Sequence, residues 1–242
     1  KRQVPVWDVI IPRIAPTLLL VGTATVLATI FGVWIGVRSA WKRGERFDKV
    51  ATTTTLVLYS MPEFWFGMIL LTVFSVGVFG FPGIFPVGGL STPGVDTASP
   101  GGIADVAWHL ALPVFTLTVI YLAEYALVMR ASLIDEMGQD YLQTARAKGL
   151  RDDEVRRRHA VPNALLPTTT LIFLNLGFVI GGAITIEYVF SLSGLGSLTV
   201  QALRGPDIPL LQTLFVLFST AVIVANLLAD LLYARLDPRV RT

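Results

Sequence analysis

Cysteine is absent from the 242 residues, and histidine occurs only at His109 and His159. Disulfides, thiol chemistry and cysteine-based metal sites are therefore excluded, and two scattered histidines are too few for a histidine metal cage. Charge is also scarce, because 15% of the residues are charged against about 25% in a typical soluble domain. With 53% hydrophobic residues and a mean hydropathy of +0.67, the composition indicates a membrane protein that holds no metal.

Sequence signals of three other protein classes are missing. The chain contains no G-x-x-x-x-G-K-[ST] phosphate-binding loop, so it is not an ATPase by any standard route. It begins KRQVPVW, without methionine and without a charged-then-apolar signal peptide, and we expect it to start at an internal point of a longer protein. Its basic residues cluster at the ends of apolar segments, which argues against the broad basic face of a nucleic-acid binder.

Five apolar segments are long enough to cross a bilayer, which requires about 20 helical residues. They run from about residue 16 to 36, 56 to 79, 106 to 129, 165 to 186 and 210 to 233. Five buried helices of a soluble core would need polar partner helices that this chain does not contain. The sequence therefore predicts an all-α fold, a polytopic transmembrane helical bundle that forms a single domain over residues 1–242.

The distribution of basic residues predicts the topology. Fifteen of the nineteen lysines and arginines lie in residues 38–50, 130–158 and 235–241. Because cytoplasmic loops carry an excess of Lys and Arg, these regions and the C-terminus are predicted to be cytoplasmic. The connections 80–105 and 187–208 are then external, and apolar residues at helical spacing in the second predict a short external or re-entrant helix.

A polar stretch, residues 139–167, overlaps the end of the predicted cytoplasmic loop of about residues 130–164. Asp140 followed by Gln143 predicts a capping box at the start of a helix over residues 141–148. Gly149 stands where a helix end favours a left-handed residue. A second short helix is predicted to begin at Asp152 and to end before Pro162.

The first of these helices carries small residues, Thr144, Ala145 and Ala147. A helix of two turns this polar is unstable alone. An exposed small face with a basic rim would suit a knob that docks into a groove of another protein. An ordinary solvated cytoplasmic loop is the alternative that the residues leave open.

Several segments in order carry a resemblance to a known family. Gln143-Thr144-Ala145, three residues, Gly149 and then Pro162 resemble the EAA loop of ABC-importer permeases, and DYLQTARAKGL with RHAVPNALLP resembles the dipeptide/oligopeptide branch. Similar matches along the chain are S-M-P-E-F at 60–64, the glycine/proline turn at 80–86, E-Y-V-F at 187–190 with G-L-G at 194–196, and D-L-L-Y at 230–233 with L-D-P-R-V-R at 236–241. Gln143 and Thr144 replace the usual acidic residue and first alanine, Ser193 replaces a proline, and Pro162 stands where arginine is frequent.

The resemblance implies a type I ABC-importer permease, a family with six spans, so that the first span would precede this chain. It implies a subunit in a bacterial or archaeal cytoplasmic membrane that forms half of a pathway for peptides and works by alternating access. The implied partners are a second permease subunit, an external substrate-binding protein and two ATPase subunits, which bind ATP and Mg²⁺ while this chain binds no cofactor. The residues expected to contact an ATPase are Asp140, Tyr141, Gln143, Thr144, Ala145, Arg146, Ala147, Lys148 and Gly149.

One acidic residue, Glu124, lies well inside a predicted span, between Tyr121 and Tyr125. Because intramembrane carboxylates are functional by default, we expect Glu124, with Tyr121 and Tyr125, to line the pathway, and a purely structural role is the alternative. Asn175 is a further candidate for the pathway, with an interhelical hydrogen bond as its alternative role. The same machine with nickel, glutathione or an oligosaccharide as cargo is a rival interpretation. A proton-coupled secondary transporter that uses Glu124 is a second, and an intramembrane hydrolase lacks a nucleophile with a convincing base.

Overall fold

The computed structural model describes residues 4–78, 80 and 82–236, and all the regular structure in these ranges is helical. The long helices are α1 (Val6–Trp41), α4 (Pro100–Met137), α7 (Val161–Gly182) and α10 (Ile208–Leu236). The shorter ones are α2 (Arg46–Ser60), α3 (Glu63–Leu71), α5 (Asp140–Ala147), α6 (Asp152–Val155), α8 (Ile184–Val189) and α9 (Leu195–Arg204). Two π-helical turns, Thr72–Val76 and Arg156–Ala160, follow α3 and α6. The prediction of an all-α fold is confirmed.

Within the described residues, three helices are long and apolar enough to span a membrane: α1, α4 and residues 208–229 of α10. They coincide with the first, third and fifth predicted segments. The fourth segment, residues 165–186, falls on α7 and the start of α8, which are separated at Ala183. The count of five spans stays a prediction.

The second predicted segment, residues 56–79, is not one continuous helix. Residues 56–60 belong to α2, and α3 with its π-helical turn follows after a bend of 95°. Pro62, whose backbone is extended, precedes α3. Proline has no N–H to donate, and its ring disfavours the helical conformation of the residue before it. The helix is therefore interrupted at Pro62, although the surrounding sequence is mostly apolar.

Residue contacts divide the chain into two compact units. Unit 1 comprises residues 1–25, 61–118 and 175–225, and unit 2 comprises residues 26–60, 119–174 and 226–242. The core of unit 1 joins α1, α9 and α10 through Ile10, Leu195, Leu198, Ala202, Leu210 and Leu214. The core of unit 2 joins α1, α4, α5 and the start of α7 through Ala40, Met129, Leu133, Leu142, Ala145, Val155, Ala160 and Ala164. The single transmembrane domain stays a prediction.

Side chains of α4 hold the long connection that precedes it in unit 1. Asp105 accepts hydrogen bonds from the backbone N–H and the hydroxyl of Thr92, at 2.6 and 2.8 Å. The ring of Phe85 stacks on Trp108 with the ring centroids 4.4 Å apart. The glycine- and proline-rich connection is therefore anchored at two points.

Candidate coupling site

The polar stretch forms α5 one residue earlier than predicted, over Asp140–Ala147. Gln139, with an extended backbone, is the N-terminal cap residue, and its side chain makes no capping hydrogen bond. The predicted capping box is therefore wrong, because Asp140 is already the first residue of the helix. A carboxylate at that position still interacts favourably with the positive end of the helix dipole.

The C-terminal end of α5 follows the prediction at Gly149. Gly149 has φ of +84°, a left-handed conformation that a side chain disfavours. Its N–H donates to the carbonyl of Arg146 at 2.9 Å, and the N–H of Leu150 donates to the carbonyl of Ala145 at 3.4 Å. This pair of bonds is a Schellman motif, which satisfies two carbonyls at the helix end. Leu150 then packs against the core of unit 2.

The two faces of α5 differ in burial. Leu142 is fully buried and Ala145 is 7% exposed, and both pack into the core of unit 2. Gln143, Thr144 and Ala147 are exposed. The expectation that Ala145 lies on an exposed small face is therefore wrong, since the three-residue spacing of Leu142 and Ala145 places both on the face that meets α4 and α7. The exposed ridge of α5 consists of Asp140, Gln143, Thr144, Arg146, Ala147 and Lys148.

Tyr141 ties α5 to the helices before and after it. Its hydroxyl donates to the carboxylate of Glu136 at the end of α4. The same oxygen accepts a hydrogen bond from Nδ2 of Asn163 in α7 at 2.9 Å, and this amide also donates to the carbonyl of His159 at 3.1 Å. Tyr141 therefore links α5 to α4 and α7, and its contact with an ATPase stays a prediction.

The sequence predicted that the second short helix ends before Pro162. This prediction is wrong. The helical path runs from α6 through the π-helical turn Arg156–Ala160 directly into α7, which contains Pro162 as its second residue. In the π-helical turn the N–H of Val161 donates to the carbonyl of Arg156. Pro162 cannot donate a helical hydrogen bond of its own. The wider π-helical turn before it accommodates the proline without ending the helix.

Most of the arginines around α5 are paired with acidic residues. Arg146 contacts Asp152 at 3.0 Å, Arg156 contacts Asp153 at 2.5 Å and Arg158 contacts Glu154 at 2.8 Å. Exposed ion pairs of this kind contribute about 0–1 kcal/mol each to the stability of a protein. Their main effect here is to neutralise positive charge on the surface. Within the described part of the chain, Lys148 and Arg151 have no ion pair, which leaves positive charge beside the exposed ridge.

Sequence reasoning missed Asp48, which is 3% exposed in α2. Its two carboxylate oxygens accept from Nε and Nη2 of Arg130 in α4, at 2.6 and 2.9 Å. They also accept from the N–H of Gly44 and from the hydroxyl of Thr52. Arg130 lies in the basic region of residues 130–158, but this bidentate bond joins it to α2. Because Arg130 lies 82 residues further along the chain, the residues around Asp48 gave no signal of this role.

The four residues expected to line a pathway have different environments. Tyr125 is fully buried, and its ring lies 6.4 Å from that of Tyr121, one turn earlier in α4. Tyr121, Glu124 and Asn175 are half-buried, and each makes interactions with other groups. Tyr121, Glu124 and Tyr125 belong to unit 2, whereas Asn175 belongs to unit 1. Tyr125 presents no accessible surface in this structure, and the pathway role of all four residues stays a prediction.

Unit 1 contains a buried carboxylate, Glu187, that holds the start of α9. Its Oε1 accepts from the hydroxyl of Thr17 in α1 at 2.6 Å, and its Oε2 accepts from the N–H of Ser197 at 2.9 Å. The oxygen of Thr17 in turn accepts from the N–H of Leu195 at 2.9 Å. The first backbone donors of α9, which lack partners inside the helix, are thus satisfied by side chains of α1 and α8.

The close approach of α9 to Glu187 explains the G-L-G element. A Cβ at Gly194 would lie 2.3 Å from the carboxylate carbon of Glu187, and a Cβ at Gly196 would lie 2.6 Å from Cα of Ile184. Burial raises the pKa of the Glu187 carboxyl, and the hydrogen bonds from Thr17 and the backbone partly oppose that shift. These contacts give Glu187 a structural role at the start of α9.

Comparison with known proteins identifies the family. Residues 28–242 match the family described as "Binding-protein-dependent transport system inner membrane component". The chain belongs to this family. The match covers α5, Asp48 and Glu187, and it makes the chain a membrane component of a transport system, as the resemblance implied.

Members of the family with curated descriptions align over nearly the whole chain. The dipeptide transport system permease protein DppB of Escherichia coli strain K12 is 38% identical over 100% of this chain and 75% of its own length. The oligopeptide transport system permease protein AppB of Bacillus subtilis is 37% identical over 99% of this chain and 73% of its own length. The glutathione transport system permease protein GsiC of Escherichia coli O1:K1 is 38% identical over 98% of this chain and 72% of its own length.

Solved structures confirm the permease fold. A chain of the MetNI methionine ABC transporter superposes with a TM-score of 0.75 at 16% identity, covering 98% of this chain and 100% of that one. A chain of an amino acid ABC transporter superposes with a TM-score of 0.66 at 15% identity, covering 94% of both chains. The fold of this family member is therefore that of type I ABC-importer permeases.

Proposed function

We propose that this chain is the permease subunit of an ATP-driven importer of peptides and forms half of the translocation pathway. The dipeptide and oligopeptide permeases support this cargo, because each is 37–38% identical over essentially the whole chain. The chain itself performs no covalent chemistry. Its partners are a second permease subunit, two ATPase subunits that bind ATP and Mg²⁺, and an external substrate-binding protein.

One observation carries the proposed mechanism: α5 buries Leu142 and Ala145 in the core of unit 2 while Gln143, Thr144 and Ala147 remain exposed. A helix that is exposed on one side and packed on the other can receive a push on its ridge. The push would pass through the Tyr141 bonds to Glu136 at the end of α4 and to Asn163 in α7. Closure of the ATPases would in this way open the cavity outward, and hydrolysis would reset it by alternating access.

The same interpretation puts α5, the connection 38–50 and the C-terminus on the cytoplasmic side of the inner membrane, with residues 80–105 and 187–208 outside. Single cysteines test it, because the chain has no cysteine of its own. In the assembled transporter, Thr144→Cys and Ala147→Cys should crosslink to an ATPase subunit. Ser193→Cys, also exposed, is the matched control and should not. Capture of the ATPase from Ser193→Cys would reverse the topology, and capture by none of the three would reject α5 as the docking element.

A second cargo is favoured by one comparison, since the glutathione permease is 38% identical over 98% of this chain. Glutathione is itself a small peptide, so both cargoes need the same kind of pathway. Transporter reconstituted with its binding protein should distinguish them by substrate-stimulated ATP hydrolysis. Stimulation by dipeptides or longer peptides and not by glutathione supports the first cargo, the reverse supports the second, and stimulation by neither rejects both.

A further inference from the structure

The end of α1 presents a guanidinium that lies beside two aromatic rings. Arg38 lies with its guanidinium carbon 5.6 Å from the ring centroid of Trp34, one turn earlier, and 5.1 Å from that of Phe47 in α2. The two rings meet edge to face at 6.3 Å. Side chains of a helix lean towards its N-terminus, so the guanidinium reaches back over Trp34. The charge is therefore oriented before any ligand arrives.

The connection between α1 and α2 contains more basic side chains than its acidic side chains neutralise. Residues 38–50 contain two acidic residues, and both are engaged: Glu45 with Lys42 at 3.1 Å, and Asp48, which is buried, with Arg130 at 2.6 Å. Within the described ranges no acidic side chain pairs with Arg38, Arg43, Arg46 or Lys49. All four are exposed, so an anionic partner would find several uncompensated positive charges here.

An exposed apolar stripe leads along α1 to Arg38. Val26, Ile30 and Trp34 follow one another at four-residue intervals and are 58%, 58% and 55% exposed. This spacing places them on one face of the helix, and Arg38 continues the same row. Trp is typical of the level where the bilayer core meets the headgroups. The row thus changes from aliphatic side chains at Val26 and Ile30 to an aromatic ring at Trp34 and a cation at Arg38.

We propose that Trp34, Arg38 and Phe47 form a binding site for an anionic phospholipid. The phosphate is held by Arg38, with Arg46 and Lys49 adding to the positive potential, and an acyl chain lies along Val26 and Ile30. A lipid fits better than a protein partner, because the cationic group and the apolar row share one helix face and meet at an interfacial tryptophan. The site depends only on α1 spanning the membrane, and not on which cargo the transporter carries.

Native mass spectrometry of the intact transporter in detergent tests the site, with phosphatidylglycerol and phosphatidylcholine titrated separately. Arg38→Gln should weaken phosphatidylglycerol binding about fivefold, the effect expected of one cation beside an anionic headgroup, and should leave phosphatidylcholine binding unchanged. Arg38→Lys, which keeps the charge, should retain most of the affinity. Trp34→Leu, which removes only the ring, should weaken binding by about twofold, because it removes the cation–π support of Arg38.

Arg204→Gln is the matched control. Arg204 also lies over an aromatic ring, that of Tyr188 at 5.0 Å, and the substitution makes the same change in net charge away from the proposed site. It should leave phosphatidylglycerol binding unaltered. An equal loss in Arg204→Gln, no loss in Arg38→Gln, or equal binding of the two lipids by the wild type would overturn the proposal. Full competition by inorganic phosphate would also overturn it, in favour of a free-phosphate site. If Arg38→Gln fails to assemble, Trp34→Leu decides, and unchanged binding there rejects the site.

Discussion

Thr17 donates a hydrogen bond to Glu187, which lies 170 residues further along the chain, with their oxygens 2.6 Å apart. The bond joins α1 to α8. The N–H of Leu195, the first residue of α9, donates a second hydrogen bond to the hydroxyl oxygen of Thr17. An α-helix leaves its first N–H groups without internal partners, and here distant side chains supply them. The position of the start of α9 therefore depends on side chains of α1 and α8.

Gly194→Ala should destabilise the protein, because the new Cβ would lie 2.3 Å from the carboxylate carbon of Glu187. The backbone at Gly194 is extended, so the expected loss is steric. Overpacking of this kind costs about 1–3 kcal/mol. Gly205→Ala is the control, since its nearest neighbour would be 3.6 Å away. Thermal unfolding in detergent should show a lower Tm for the first variant alone, and similar Tm values for the two would contradict the close approach.

Glu187→Gln should reduce the dependence of stability on pH. Because burial raises the pKa of Glu187, the folded state binds the proton more tightly than the unfolded state. The resulting stabilisation is complete below the usual carboxyl pKa and is lost as the pH rises through the raised value. The Tm of the wild type should therefore fall on going from acid to neutral pH more steeply than that of Glu187→Gln.

Glu45→Gln is the control for this pH series, because its side chain is 59% exposed and pairs with the exposed Lys42. It should keep the slope of the wild type. Parallel curves for the wild type and Glu187→Gln would show that Glu187 has the same proton affinity in both states.

Asp48→Asn should cost about 3 kcal/mol of stability, because it removes one partner of a buried ion pair and leaves Arg130 uncompensated. Asp152→Asn breaks an exposed pair with Arg146 and should cost less than about 1 kcal/mol. Unfolding by denaturant in detergent measures both. The double variant Asp48→Asn/Arg130→Gln should recover part of the loss, and a purely additive result would argue that the two side chains are not coupled.

The alanines of α5 provide a matched pair. Ala145→Leu should overpack the core of unit 2 and lower the Tm, since Ala145 is 7% exposed. Ala147→Leu should leave the Tm unchanged, because Ala147 is exposed, but it should reduce substrate-stimulated ATP hydrolysis by the assembled transporter. Equal Tm values would contradict the burial of Ala145. Normal ATP hydrolysis in Ala147→Leu would contradict docking on this ridge.

Much of the architecture was predictable because it rests on signals within a few residues. Long apolar runs predicted α1, α4 and α10. Gly149 predicted the end of α5, since only a residue without a side chain takes φ of +84° without strain. Pro62 was a local signal of the break between α2 and α3. The sequence nevertheless predicted one span, because residues 56–79 are predominantly apolar.

The rotation of α5 was only partly predictable from its own residues. Leu142 is a large aliphatic residue and Ala145 follows it three residues later, which favours a shared inward face, but the small residue Ala147 gives no local signal of its own. The cores contributed by α4 and α7 decide this. Likewise Asp48 and Glu187 resemble ordinary acidic residues near helix ends, and their partners Arg130 and Thr17 are far away in sequence.

The sequence by itself determined the helical membrane fold, the basic connections and the family, because hydrophobicity, charge and short motifs act through near neighbours. Only the tertiary structure decided which carboxylates are buried, which face of α5 is exposed and why the G-L-G element contains glycine. These properties depend on groups brought together from different helices. A buried carboxylate must find its hydrogen-bond donors wherever packing places them, and that information is spread over the whole chain.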